Sequence, residues 1–311
     1  MGASWGGSGM IGVNPAGPSR AQNDGRTNVE VTMGYRSFIV QVDDNDQSDR
    51  RVTLAAILAR LHEAELEGVY VTPAREITPF TSAILPDSVV ANRLRDTGEA
   101  QARAEQRFRA CAAAAHLAAV SWSAPAGPAL DAAVLHARRA DIVVTGQPLP
   151  EDAHAGFAGD LLYGMLMQAG RPLLVVPHFG DFSEVGQNVL IAWKETRESA
   201  RAVSDALPLL KRAGKVVVMP VSSPGDSDSG GAGSGAGVTA WLARHGIKAS
   251  VRAEVADEID VGNLLLSRAS DLATDLIVMG AYSRARLAER VVGGVTRLIL
   301  ESMTVPVLMS H

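Results

Sequence analysis

Apolar positions along the chain come in short unbroken runs, and between the runs apolar residues recur every three or four positions. Residues 37–42, SFIVQV, stop at an acidic cluster that begins with Asp43 and Asp44. Such a run reads as a buried parallel strand feeding a helix cap. Residues 51–66 carry Leu54, Ile57, Leu58 and Leu61 at helical spacing, and a second strand is expected from Gly68. A charged, alanine-rich helix over about 88–115 follows a proline-containing loop. The pattern then predicts a short strand near 118–123, a helix over 130–139, a strand over 141–145, a helix over 160–168 and a strand over 172–176. Strands alternating with helices predict a mainly parallel sheet wrapped on both faces.

Residues 177–186, PHFGDFSEVG, break the period and read as a linker, after which the pattern restarts. Strands are expected over 188–193, 215–221, 248–255 and 276–279, with helices over 197–210, 238–245 and 261–272. A short helix after Gly294 and a last apolar run then close the chain. Residues 222–237 are almost pure Gly, Ser, Asp and Ala and predict a flexible loop. The sequence DIVVTG at 141–146 matches DLIVMG at 275–280 with an offset of 134, and Pro172 matches Pro306 with the same offset. The spacing from glycine to proline is therefore 26 in both copies. Two gapless matches at one offset predict an internal duplication. The expected organisation is an extension over 1–35, rich in Gly, Ser, Asn and Pro and disordered, then one α/β domain over 36–179 and a second over 188–311. Met33, just before the first strand, is an expected alternative start of translation.

Composition narrows the function classes. With 47% apolar residues and a net charge of -5, the chain has no basic excess to attract nucleic acid. No apolar run reaches the roughly 18 residues of a membrane span. The single Cys111 lies among alanines and reads as a small buried thiol, and the lack of disulfide or zinc spacing fits a reducing cytoplasm. There is no GxxxxGK[ST], HExxH or GxSxG motif. The seven histidines show no paired spacing, with His62 and His136 on predicted helices and His154 and His178 in loops.

The stretch 275–310 carries the candidate chemistry. An apolar strand ends at Gly280, a loop holds Arg284, Arg286 and Arg290, and Gly293 and Gly294 precede a helix. A glycine pair at a helix N-terminus lets backbone N–H groups approach an anion; the plainer alternative is a turn whose glycines relieve sterics. The offset of 134 lays Gly293 on Gly159 but Gly294 on Asp160, Ser283 on Leu149, and the arginine-bearing loop on an acidic one. A carboxylate at that position repels phosphate, so only the second copy is expected to hold one.

These residues resemble the universal stress protein family, and the chain as a whole resembles its tandem two-domain members over residues 36–311. In the nucleotide-binding branch the motif is Gly, two residues, Gly, nine residues, Gly, then Ser or Thr. Here Gly280, Ser283, Gly293 and Gly294 keep the spacing with serine and glycine at the second and last positions, and Thr296 offers a hydroxyl nearby. The resemblance implies two tandem copies of a five-stranded, mainly parallel sheet flanked by helices, of the adenine nucleotide alpha hydrolase-like or Rossmann-like type. It implies that Met279, Gly280, Tyr282 and Ser283 line the adenosine and phosphate side, that Gly293, Gly294 and Val295 cradle phosphates, and that Val221 lies near the base. The family's adenine-contacting aspartate corresponds to Asp43 in the first domain and to Lys194 in the second.

The expected function is that of a non-catalytic, cytoplasmic stress-response sensor or scaffold that weakly holds ATP, AMP or another phosphorylated small ligand at the C-terminal domain. No catalytic or metal-binding residue is assigned, and neither nucleic acid nor membrane is an expected partner. A ligand-free structural module and a nucleotide hydrolase are the alternatives. The domains are expected to form an intramolecular pseudo-dimer through 172–176 and 306–309, with a homodimer of chains as a further possibility.

Overall fold

Valine, isoleucine and leucine runs with no polar face demand cover on both sides, and the fold supplies it with one sheet between two layers of helices. The computed structural model describes residues 1–2, 34–45, 47–71, 86–148, 155–222, 235–255, 261–281 and 294–311. Residues 34–311 form one compact unit. The expected disordered extension over 1–35, apart from Met1, Gly2, Gly34 and Tyr35, and most of the expected loop over 222–237 lie outside the described residues, and Tyr35, expected in that extension, is buried in the core instead.

In chain order the first half runs β1 (Ser37–Val42), α1 (Ser48–Leu61), β2 (Glu65–Tyr70), α2 (Asp87–Ala114), β3 (Val120–Ser123), α3 (Ala129–Ala137), β4 (Ile142–Gly146), α4 (Ala155–Gln168) and β5 (Leu173–Val176). The second half runs β6 (Asn188–Trp193), α5 (Arg197–Asp205), α6 (Leu207–Leu210), β7 (Lys215–Ser222), α7 (Ala236–Arg244), β8 (Ala249–Val251), β9 (Glu254–Val255), α8 (Val261–Asp271), β10 (Leu276–Gly280), α9 (Gly294–Ser302) and β11 (Val307–Ser310). The sheet order is β3-β2-β1-β4-β5-β11-β10-β6-β7-β8, with β9 also paired to β7.

Three expectations shift. The second strand starts at Glu65 rather than Gly68, because α1 ends at Leu61 and Glu63 turns the chain through the left-handed region at φ 54°. Leu66, expected on the helix, is thus a buried strand residue. The helix expected over 197–210 breaks at Ala206, where Pro208 in the next turn lacks the N–H that a continuous helix needs. The strand expected over 248–255 divides into β8 and β9, both parallel to β7.

Every described pairing is parallel except one. Strands β5 and β11 meet antiparallel, in the register Leu173 with Met309, Leu174 with Leu308 and Val175 with Val307. Leu308 is the offset-134 counterpart of Leu174, so the pseudo-twofold axis passes between a residue and its own copy. This is the pairing expected of the terminal strands. The halves also touch through Tyr35, whose hydroxyl donates to the Asp205 carbonyl at 2.6 Å, and through Gln147, whose Nε2 donates to the Leu300 carbonyl at 2.8 Å.

Other devices repeat. Asp141 accepts the N–H groups of Arg36 and Ser37, and its counterpart Asp275 accepts those of Gly186, Gln187 and Asn188, so one carboxylate anchors the entry to the first strand of each half. One device is reversed. In the first half Leu130 on α3 fills the space over Gly164 on α4, where an added Cβ would lie 2.5 Å from Leu130 Cδ1. In the second half the glycine is Gly262 on α8 and the leucine is Leu298 on α9, again at 2.5 Å. Leu298 is the offset-134 counterpart of Gly164. Large and small have changed sides while their sum is kept.

Gly262→Leu overfills this contact and is expected to lower unfolding free energy by about 2 kcal/mol. Adding Leu298→Gly is expected to restore more than half of that loss, even though the second change alone opens a cavity, and urea unfolding of the four proteins gives the coupling directly. A second expectation concerns His62, which is buried, leaves Nε2 without a hydrogen-bond partner, and packs against Tyr35 with ring centroids 5.2 Å apart. Burial, reinforced by Arg212, pushes its pKa down to about 4. In the unfolded chain it titrates near the ordinary value of about 6.5, so between these values the unfolded state takes up a proton that the folded state refuses. Stability therefore falls as pH drops from about 6.5 to 4, by on the order of 2 kcal/mol after allowance for solvent screening. Urea midpoints across this range are expected to flatten in His62→Leu.

Candidate functional site

In a parallel α/β sheet, side chains and backbone groups converge beyond the carboxyl ends of the strands, where helix N-termini also point. In the second half this end is built from Trp193 at the end of β6 and Lys194 after it, Val221 in β7, Met279, Gly280 and Ala281 at the end of β10, and the first turns of α5 and α9. Among the expected site residues, Tyr282, Ser283 and Gly293 lie outside the described residues, and of Val221 only the backbone is described, paired with Glu254. Met279 is buried in the apolar layer that also holds Ala281 and Ile299, and Val295 packs on that layer. Gly294 opens α9, is exposed, and has nothing within 4 Å of where a Cβ would stand.

Gly280 faces the other way, as strand alternation requires. A Cβ there would lie 2.5 Å from the Ser199 N and 2.6 Å from the Glu198 carbonyl carbon, so the missing side chain is what lets the start of α5 lie against β10. Thr196 caps α5 by accepting the Ser199 N–H at 3.3 Å. Glu198 is buried beside Gly280. Burial raises its pKa, but hydrogen bonds from Arg197, from its own backbone and from Thr196 outweigh that effect and hold the carboxyl below its ordinary range. Arg197 Nε donates to Glu198 Oε1 at 2.6 Å and its Nη2 lies 3.2 Å from His311 Nε2. His311 Nδ1 lies 3.0 Å from the Ala281 carbonyl, which only accepts, so Nδ1 carries the proton and Nε2 receives Arg197. Sequence reasoning missed the Arg197–His311 link because its members are 114 residues apart.

The first half presents the same frame with different contents. In both, the residue after the first strand donates its N–H to a serine at the start of the next helix: Asp43 to Ser48, and Lys194 to Ser199, each at 3.3 Å. That shared bond sets an offset of 151 here, which lays Arg51 on Ala202. Arg51 is 6% exposed. Its Nη2 meets Asp43 Oδ2 at 2.6 Å and Ser48 Oγ at 3.2 Å, while its Nε donates to the Gln41 carbonyl at 2.6 Å. Its Nη1 lies 2.6 Å from where a Cβ on Gly146 would stand. The first half thus fills the end of β4 with its own guanidinium and engages Asp43 in an ion pair, and the second half has only the Ala202 methyl at that position. Among the described residues no cluster of His, Cys, Asp and Glu is arranged to hold a metal ion.

Residues 186–311 match the model of the universal stress protein family, so the chain carries a domain of that family. A universal stress protein from Archaeoglobus fulgidus aligns over 88% of this chain and 95% of its own, at 16% identity and a TM-score of 0.67. A protein of unknown function from Pseudomonas aeruginosa aligns over 90% of this chain and 93% of its own, at 14% identity and a TM-score of 0.53. These likenesses show a shared fold across nearly the whole chain. No curated protein matches the sequence.

Arg51→Ala leaves Asp43 without its cation and is expected to destabilise the protein by about 3 kcal/mol, whereas Asp43→Asn combined with Arg51→Met is expected to cost less than that single change. Denaturant unfolding of the three proteins measures the difference.

Proposed function

We propose that this chain, which carries a universal stress protein domain over residues 186–311, is a sensor or scaffold in the cytoplasm whose second half holds an adenine nucleotide without transforming it. Its two halves, over 36–179 and 188–311, are read as copies of one duplicated domain behind an N-terminal extension over 1–35. The observation that carries the proposal is the difference between equivalent positions. Arg51 occupies and neutralises the first half, whereas Ala202 stands in its place in the second and Lys194 replaces Asp43. Exposed Gly294 at the start of the nine-residue α9 supports anion binding there, because the helix dipole and the N–H groups of a first turn favour negative charge. No helix among the described residues is long and apolar enough to cross a membrane.

Together the dipole and backbone donors contribute on the order of 1 to 2 kcal/mol toward a phosphate, which sets an expectation of weak binding. Calorimetric titration of the full chain with ATP and AMP is expected to saturate in the millimolar range or below. Gly294→Asp, which installs the residue that Asp160 supplies in the first half, is expected to weaken binding about tenfold, or 1.4 kcal/mol. No saturable signal, or one that survives this substitution, removes the proposal. The β5–β11 pairing favours one other reading, a ligand-free module in which the halves act as a fused pseudo-dimer. An unchanged melting temperature at saturating nucleotide selects it.

A further inference from the structure

Three polar side chains that stand far apart in the sequence meet at the outer edge of the first half, away from the second-half site. Ser123 is the last residue of the edge strand β3 and is partly exposed. Its Oγ lies 3.5 Å from His136 Nε2 on α3. His136 is 8% exposed, and its Nδ1 lies 2.9 Å from Glu67 Oε1 on β2. The register pairs Ser123 with Val69, two residues beyond Glu67, so strand alternation puts Ser123 and Glu67 on the same face of the sheet, which α3 covers.

The carboxylate fixes the tautomer. Glu67 only accepts, so Nδ1 carries the proton and the Nε2 lone pair faces the Ser123 hydroxyl. Arg139 Nη2, which only donates, lies at the longer distance of 3.2 Å from the same Nδ1, and the 2.9 Å contact to Glu67 is taken as the bond that sets the tautomer. A hydroxyl, a base within reach of it, and a third group orienting the base make up the arrangement that activates a serine nucleophile. A separation of 3.5 Å is at the loose end for this purpose and matches the slack that such bonds show before substrate closes them.

We propose that Ser123, His136 and Glu67 form an acyl-transfer site for small carboxylic esters. Ser123 Oγ bonds to the ester carbonyl carbon as its proton passes to His136 Nε2. Collapse breaks the ester C–O bond, the proton goes from Nε2 to the departing oxygen, and an alcohol leaves. Water then repeats the sequence on acyl-Ser123, releasing a carboxylic acid and restoring the serine. Glu67 is a positioning residue that holds the ring and offsets its charge when Nε2 is protonated. The stretch that follows Ser123, Ala124 to Gly127, carries no bulky side chain, so the approach suits a small acyl group.

The test treats the full chain with a fluorophosphonate probe, maps the adduct by peptide mass spectrometry, and follows p-nitrophenyl acetate cleavage. Ser121, exposed and two residues earlier on the same strand face, is the internal control. The expected result is an adduct on Ser123 and not on Ser121, and ester cleavage lost in Ser123→Ala. Both reactions are expected to slow about 100-fold in His136→Gln with an unchanged melting temperature. Glu67→Gln is expected to lower kcat with little change in KM, and Glu67→Asp to recover part of it. No adduct, equal labelling of Ser121, or labelling and cleavage indifferent to His136→Gln overturns the proposal. These results are independent of whether nucleotide binds the second half.

Discussion

One antiparallel contact organises the molecule. Strands β5 and β11 would each be the exposed edge of a five-stranded half, an apolar row of unpaired backbone groups that invites association. Pairing them to each other turns two edges into the middle of one continuous sheet. The register is not free to slide, because a shift of one residue would send every side chain of the strand to the opposite face. Leu174 and Leu308, both fully buried, meet at the centre of this pairing, and the contacts from Tyr35 to Asp205 and from Gln147 to Leu300 form only with it in place.

Much of this architecture was legible in the chain because it rests on local grammar. Asn188–Trp193 and the strands on either side of the 26-residue spacing are continuous apolar runs, which have no stable place except inside a covered sheet. Legibility failed where no local signal marks the event. No glycine announces the turn at Glu63, so residues 64 to 66 looked like more helix. Pro208 was visible as a residue, but the amphipathic period ran straight through it.

The sites were harder to read than the fold for a related reason. The glycine pair and its spacing can be counted along the sequence, but what fills a strand end depends on which helix face turns toward it. Arg51 looked like one charged residue on a helix, and only the packing of α1 reveals it as a buried cation bonded to Asp43, Gln41 and Ser48. Gly280 likewise proved to serve helix packing on its open side, whatever its backbone does toward a ligand. His136 had no neighbour in the sequence that marked it, because its partners come from two other strands. The duplicated frame thus carries unlike contents: a self-neutralised strand end and a polar triad in one half, and in the other a strand end with Ala202 in place of the arginine and Lys194 in place of the aspartate.

The exchanged glycine and leucine between the helix pairs bear on how the halves have stayed distinct. Duplicated segments tend to be kept alike by recombination between copies, which overwrites one stretch with the other. Copying α9 over α4 would set leucine against leucine beside α3, and copying α4 over α9 would leave glycine against glycine beside α8. Each exchange damages a helix contact that is sound as it stands. Steric compensation of this kind makes homogenised descendants less stable than divergent ones, so packing alone gives the two copies a reason to keep evolving apart.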